Sequence, residues 1–169
     1  MHDGGARITG WWYGISAAVV ALDQWTKQLA EGHLLFGQPR ELTPWFDLAL
    51  AYNRGAAFSF LSDMNGWQRW FFAAIAGLVS SVIVVWLWRL GSRQKVLALG
   101  LALILGGALG NLYDRLALGH VVDFISLHYG PYSWPAFNLA DSAITCGAVL
   151  LIVDMLLQSR AERMAADGQ

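Results

Sequence analysis

Two aspartates, Asp123 and Asp141, are the candidates for chemistry in this sequence. Both lie in residues 106–142, a stretch apolar enough for a membrane, where an unpaired charge is costly. Two apposed carboxylates can hydrolyse an amide, because one takes a proton from water while the other stays protonated and polarises the carbonyl. Such a pair titrates as a unit. The two residues therefore suggest an aspartic hydrolase as a hypothesis.

Three pairs of polar residues have purely structural interpretations as well: a helix cap, a helical ion pair and an interfacial charge pair. Spacing leaves each of these open beside a functional role. The pairs are, in that order, Asn138 with Asp141, Asp23 with Lys27, and Asp114 with Arg115.

The sequence shows no other hydrolase machinery. It has neither a His-Glu-x-x-His zinc motif nor a Gly-x-Ser-x-Gly nucleophile elbow. The four histidines show no metal-ligand spacing. We therefore expect no metal site and no cofactor.

The composition is that of a membrane protein. Hydrophobic residues make up 56% of the 169 residues and charged residues 14%, whereas soluble domains average about 25% charged residues. The net charge of −1 gives no reason to expect a nucleic-acid partner. The length predicts a single domain, residues 1–169.

Four segments have the length of about 20 apolar residues that a bilayer requires. They predict transmembrane helices at about 8–30, 67–90, 96–113 and 136–157. In the third, Gly106 and Gly110 have the small-xxx-small spacing that predicts close helix packing.

The charges between the spans predict the orientation. Residues 89–95 carry three basic residues and no acid, which favours the cytoplasmic side for this loop and for both termini. Asp123 then follows the outer end of the third span, and Asp141 lies about 8 Å into the fourth. Both carboxylates are expected near the outer membrane boundary, facing one cleft.

The outer segment 31–66 is too long for a plain connector. Residues 45–52 and 56–61 predict two strands around a turn at 53–55, within a β segment of about 42–61. Trp45, Phe46, Phe58 and Phe60 would place this ribbon on the outer leaflet. The second outer segment, 114–135, has the same interfacial character.

Five blocks together resemble the lipoprotein signal peptidases, the type II signal peptidases of bacteria. Any one block is weak, but five in this order on four spans are specific. The blocks are Asp23–Lys27, Tyr52–Phe58, Gly106–Arg115, Gly119–Phe124 and Phe137–Ser142.

The resemblance implies an all-α integral membrane protein with four transmembrane helices, a small periplasmic β-ribbon or cradle and a short periplasmic helical segment. It implies an aspartic endopeptidase that cuts prolipoproteins before a cysteine carrying diacylglyceryl. Asp123 and Asp141 would be the catalytic dyad. Carried over by position, the substrate-binding residues are Asn53, Gly55, Asn111, Arg115 and Asn138, and the supporting residues are Asp23, Lys27 and Asp114.

The resemblance also implies a place in the cell and a set of partners. The protein would lie in the bacterial inner membrane as a monomer, with both termini cytoplasmic and the site near the periplasmic face. Membrane lipids would surround it, and the cyclic peptide globomycin would block its cleft.

Two other classes remain open: a small transporter or channel, and a non-catalytic lipoprotein-binding scaffold. Intramembrane carboxylates commonly mark ion pathways, but here no candidate group lies near the middle of the second or third span.

Overall fold

In a computed structural model, residues 3–55, 66–90 and 94–167 are described. This part of the chain contains four long helices and a four-stranded antiparallel sheet in the order β1-β2-β3-β4. The elements are α1 (Asp3–His33), β1 (Arg40–Thr43), β2 (Phe46–Asn53), α2 (Trp67–Arg89), α3 (Lys95–Ala117), β3 (Val121–Tyr129), β4 (Tyr132–Ser133) and α4 (Leu139–Asp167).

Three of the described helices are long and apolar enough to cross a membrane: α2, α3 and residues 139–166 of α4. The first predicted span, 8–30, lies within α1, which is helical throughout but is not among these three. Its segment combines aromatic residues with Asp23 and Lys27, which lowers its mean hydropathy.

The helix ends differ from the predicted spans. Because apolar runs mark the lipid-embedded part only, the third span was predicted to end at Tyr113, whereas α3 continues to Ala117 and includes Asp114 and Arg115. Helix α4 begins at Leu139 rather than near residue 136, and it continues ten residues past 157. Its extension is rich in Ala, Glu, Arg and Met, which are good helix formers in water.

Helix α3 lies at the centre and packs against the three other helices. Its glycines allow the close approach: a Cβ on Gly106 would lie 2.6 Å from the Cβ of Val19, and one on Gly110 would lie 2.7 Å from Oδ2 of Asp23. The structure thus confirms the close packing predicted from the small-xxx-small spacing.

The sheet is attached to the end of α1. Ala30 and Leu34 form a buried cluster with Leu50 of β2 and Val122 of β3. In the central pairing of the sheet, Ala51 lies opposite Asp123. The sheet therefore holds Asp123 in a fixed position relative to α1.

The predicted ribbon is only partly right. The strand predicted at 45–52 is present as β2, and the predicted turn is present because the Gly55 N–H donates to Oδ1 of Asn53 at 2.9 Å. However, β2 pairs with β1 and β3. The second predicted strand, 56–61, with Phe58 and Phe60, lies outside the described residues.

The segment after α3 forms β3 and β4, which were not predicted from the sequence. The expected short periplasmic helical segment is not among the described elements between the four long helices, and residues 56–65 lie outside the described residues. The burial of Val121, Val122 and Asp123 in succession breaks the alternation that marks a half-buried strand. This explains why the strand was missed.

Candidate active site

Asp123 and Asp141 meet at one side chain, that of Asn138. Asp123 is the third residue of β3, and Asp141 lies in the first turn of α4. The Asn138 side-chain amide donates from Nδ2 to Oδ1 of Asp123 at 2.7 Å, and its Oδ1 accepts the N–H of Asp141 at 2.9 Å. The two candidate carboxylates are therefore brought together by a residue that was itself among the predicted site residues.

The capping interpretation of Asp141 also holds. Asn138 precedes α4, and its N–H donates to Oδ2 of Asp141 at 3.3 Å, which completes a reciprocal capping box. The other carboxylate oxygen, Oδ1, accepts a 2.7 Å hydrogen bond from Nδ2 of Asn111. The capping bond uses only one of the two carboxylate oxygens, so capping does not exclude a second role for Asp141.

Lys27 forms more than the simple helical pair that its spacing suggests. Its buried ammonium lies 2.7 Å from Oδ2 of Asp23, 2.8 Å from Oδ2 of Asp114 and 2.9 Å from Oδ1 of Asn111. Because an ammonium can only donate, the Asn111 carbonyl oxygen must face Lys27 and its NH₂ group must face Asp141. Lys27 thus fixes the orientation of an amide that contacts the candidate dyad.

Asp23 and Asp114 hold the backbone next to each dyad residue. Oδ1 of Asp23 accepts the N–H of Ala140 at 2.9 Å, and Oδ2 of Asp114 accepts the N–H of Val122 at 3.2 Å. These amides immediately precede Asp141 and Asp123. Asp114 also accepts a 2.7 Å hydrogen bond from Nε2 of Gln24, a residue for which no individual role was predicted.

The suggested Asp114–Arg115 pair is wrong for the described residues, since the salt bridge of Asp114 is with Lys27. Arg115 instead donates from Nη1 to the backbone carbonyl of Asn111 at 3.2 Å, and its guanidinium lies 5.5 Å from the ring centre of Phe72. Consecutive helix residues point in different directions, so adjacency in sequence was a poor guide.

Asn53 contacts Asp123 from β2, donating from Nδ2 to Oδ2 at 3.2 Å. Gly55 follows with φ +105°, and a Cβ there would lie 2.8 Å from Cδ2 of Phe72. Both the backbone conformation and the space require glycine at this position.

The electrostatics of the site favour the protonated form of Asp123. Burial is the main cause that raises the pKa of Asp123 to about 7, and the nearby charge of Asp141 raises it further. Hydrogen bonds from Asn53 and Asn138 and the charge of Lys27 act in the opposite direction. Asp123 therefore retains its proton at pH values well above those at which a carboxyl group ordinarily ionises.

A cleft of about 710 Å³ opens beside Asp123. Of the predicted site residues, Asn53 and Asp123 line it, whereas Asp141 and the residues on α3 do not. Arg69 and His120 also line it, and neither was predicted to have a site role. No motif includes Arg69, and His120, although it lies in the Gly119–Phe124 block, shows no metal-ligand spacing. The remaining residues that line the cleft are Ala51, Tyr52, Arg54, Gly66, Gln68, Trp70, Leu118, Gly119, Pro135 and Ala136.

The described residues contain no group of three His, Cys, Asp or Glu that could hold a metal ion.

The long apolar helices are those of a membrane protein, and the site adds a cluster of buried carboxylates to them. The family model described as "Signal peptidase (SPase) II" matches residues 15–157. The chain belongs to the signal peptidase II family and is a multi-pass membrane protein.

Its relatives agree with this assignment. The chain is 54% identical over 157 residues to a lipoprotein signal peptidase of Acinetobacter baumannii, covering 93% of this chain and 89% of the relative. It is 55% identical to one of Ectopseudomonas mendocina, covering 92% and 93%. A solved structure described as a bacterial membrane enzyme superposes with a TM-score of 0.77 at 31% identity, covering 89% of this chain and 90% of that one.

Proposed function

We propose that this protein is an intramembrane aspartic endopeptidase that removes the signal peptide from diacylglyceryl-modified prolipoproteins, cutting before the lipidated cysteine. The observation that carries the proposal is the junction at Asn138, whose side chain donates to the carboxylate of Asp123 and accepts the backbone N–H of Asp141. The relatives named lipoprotein signal peptidase support the substrate class.

The chemistry assigns a different protonation state to each aspartate. Asp141, ionised, takes a proton from water, and the oxygen attacks the carbonyl carbon of the scissile amide. Asp123, protonated, donates a hydrogen bond to the carbonyl oxygen, and its raised pKa supports this role. The proton on Asp141 then passes to the leaving nitrogen as the carbon–nitrogen bond breaks. The step consumes one water and needs no metal or organic cofactor.

The predicted binding residues divide into two groups in this proposal. Asn111 and Asn138 already hydrogen-bond the aspartates, so we assign them to holding the dyad. Asn53 also hydrogen-bonds Asp123, but it lines the open cleft and, with Gly55 beside it, would contact the peptide backbone of the precursor. Arg115 does not line this cleft, and its contact with the precursor stays a prediction. Asp23, Lys27 and Asp114 support the site from behind by fixing Asn111 and two backbone amides.

The membrane arrangement is part of the same proposal. Helix α1 would be the fourth span of a single domain in the inner membrane, with both termini cytoplasmic and the dyad near the periplasmic face. There the lipid chains of the precursor stay in the outer leaflet while the scissile amide reaches the dyad. The protein would act as a monomer, in contact with membrane lipids, and globomycin would compete for the cleft.

The test is incubation of the purified protein with a lipid-modified and an unmodified form of one precursor peptide. We expect cleavage of the lipid-modified form alone, with the lipidated cysteine at the new amino terminus by mass spectrometry. Binding without cleavage would favour a scaffold. If the protein neither binds nor cleaves either peptide, the transporter hypothesis returns to consideration.

A further inference from the structure

One wall of the cleft carries a guanidinium that is held in place by the fold. Arg69, in the first turn of α2, donates from Nη2 to the carbonyl of Leu116 at 2.8 Å, in the last turn of α3. Its guanidinium lies 4.8 Å from the ring centre of Trp70. A Cβ on Gly119 would lie 3.2 Å from Nη1, so the group rests against the backbone that leads into β3.

The described lining of the cleft has an excess of positive charge. Arg54 lines it together with Arg69, and within the described ranges neither guanidinium forms a salt bridge. Among the described residues that line the cleft, the only carboxyl group is that of Asp123, which is largely protonated below pH 7 because its pKa is raised to about 7. It therefore cannot neutralise two guanidinium groups.

Under the proposed function, the occupant of this cleft would be a polar part of the substrate. Asp123 lies in the cleft, so the chain being cut must enter it. The apolar signal sequence is more stable in lipid, which leaves the hydrophilic segment after the scissile amide. A guanidinium pairs best with a carboxylate, through charge-assisted hydrogen bonds.

We propose that Arg54 and Arg69 form a specificity site that favours precursors with an acidic side chain just after the lipidated cysteine. This inference rests on the proposed endopeptidase function and adds a substrate preference to it. A lipid headgroup would also carry negative charge, but a headgroup held beside Asp123 would obstruct the peptide.

The test uses three lipidated precursor peptides that differ only in the residue after the cysteine: Asp, Ser or Lys. In a neutral detergent we expect the wild-type kcat/KM to be highest for Asp and lowest for Lys, with about 3- to 10-fold between them. Because Arg69 also holds the end of α3, the deciding variant is Arg54→Gln, which should reduce this ratio. Arg40→Gln, an exposed arginine on β1 outside the cleft, is the matched control and should keep the wild-type ratio.

Equal kcat/KM for the three peptides with wild-type protein would overturn the inference and leave the endopeptidase assignment intact. So would an unchanged Asp-to-Lys ratio in Arg54→Gln. An effect of Arg54→Gln that is equal for all peptides and requires anionic lipid would identify a headgroup site instead. Failure of the wild-type protein to cut any of the three peptides contradicts the proposed function, and the inference with it.

Discussion

At the scale of single residues, Asn138 explains how Asp123 and Asp141 are held in one site. Its side chain is fully buried, and Nδ2 reaches Asp123, Asn111 and the Val122 carbonyl. Its Oδ1 and N–H are used by Asp141. An amide supplies both donors and an acceptor, whereas an aspartate at this position would add a third charge.

The raised pKa of Asp123 predicts an alkaline limit on activity. The pKa of about 7 stands above the ordinary 3.8, so the folded protein holds this proton more tightly than the unfolded chain. The stability that this proton contributes is complete below the ordinary value and is lost as the pH rises through about 7. If protonated Asp123 polarises the carbonyl, kcat/KM should fall as the pH rises through about 7.

The measurement is a pH–rate profile with a peptide that has no titratable side chain. Thermal stability of the wild type and of Asp123→Asn, measured over the same range, is the control: the difference between them should change between about pH 4 and 7. A kcat/KM that keeps rising to pH 9 would contradict the assignment of Asp123 as the acid.

The topology predicted from the sequence was enough to bring Asp123 and Asp141 to one site, whereas residue types alone also offered Asp23 and Asp114. The catalytic role of the pair stays a prediction. Topology and residue types were not enough to predict the roles of Gln24 and Arg69, whose partners are 90 and 47 residues away. No sequence pattern predicts which distant residue a polar side chain on a helix will contact. Such contacts depend on the packing of whole helices.

At the scale of elements, a buried charge network ties α1 to α3 and to the two elements that carry the aspartates. Asp23 and Lys27 belong to α1, and Asn111 and Asp114 belong to α3. Through backbone amides the same carboxylates reach α4 and β3. The network therefore sets the distance between α4 and β3 at the site.

Replacing Lys27 by methionine should be much more costly than the loss of an exposed helical pair, which is worth about 0.2–0.5 kcal/mol. The change leaves Asp23 and Asp114 buried without their cation, so we expect about 3–5 kcal/mol of destabilisation. Adding Asp114→Asn should restore part of the stability. The free energies of unfolding of the wild type and of both variants, measured in denaturant, test this prediction.

The matched control is Lys95→Met, at the exposed start of α3, which should change stability little. Turnover separates the two roles of Lys27. Folded Lys27→Met/Asp114→Asn protein with normal kcat would show that Lys27 only balances charge and does not orient Asn111.

Helix existence was predictable at this scale, but element boundaries and the sheet were not. Apolar runs mark the part of a helix in lipid, and α3 and α4 continue beyond it. Strand β3 lacks the alternating pattern because its first three residues are all buried.

At the scale of the whole molecule, the proposed membrane arrangement places the sheet on one side of the membrane and both termini on the other. We predict that a cysteine at Ser133 is labelled only from the periplasmic side and one at Glu162 only from the cytoplasm. Both positions are exposed, and the background should be Cys146→Ser, since the native thiol is also exposed. Labelling of both from the same side would contradict four membrane crossings.

The central claim is that Asp123 and Asp141 act as one catalytic unit. Asparagine keeps the shape of each side chain and still caps a helix well, so Asp123→Asn and Asp141→Asn should fold with near-normal thermal stability. Asp154→Asn, an aspartate far along α4 that accepts a hydrogen bond from Gln158, serves as the matched control and should retain wild-type activity.

The most direct measurement is cleavage of a lipid-modified precursor in detergent or liposomes by these folded variants. We expect almost no turnover from either dyad variant, and a double variant scarcely worse than either single one, because residues of a catalytic unit are not additive. Substantial turnover by folded Asp123→Asn or Asp141→Asn protein would contradict the aspartic mechanism, and for Asp141 would reduce its role to capping α4.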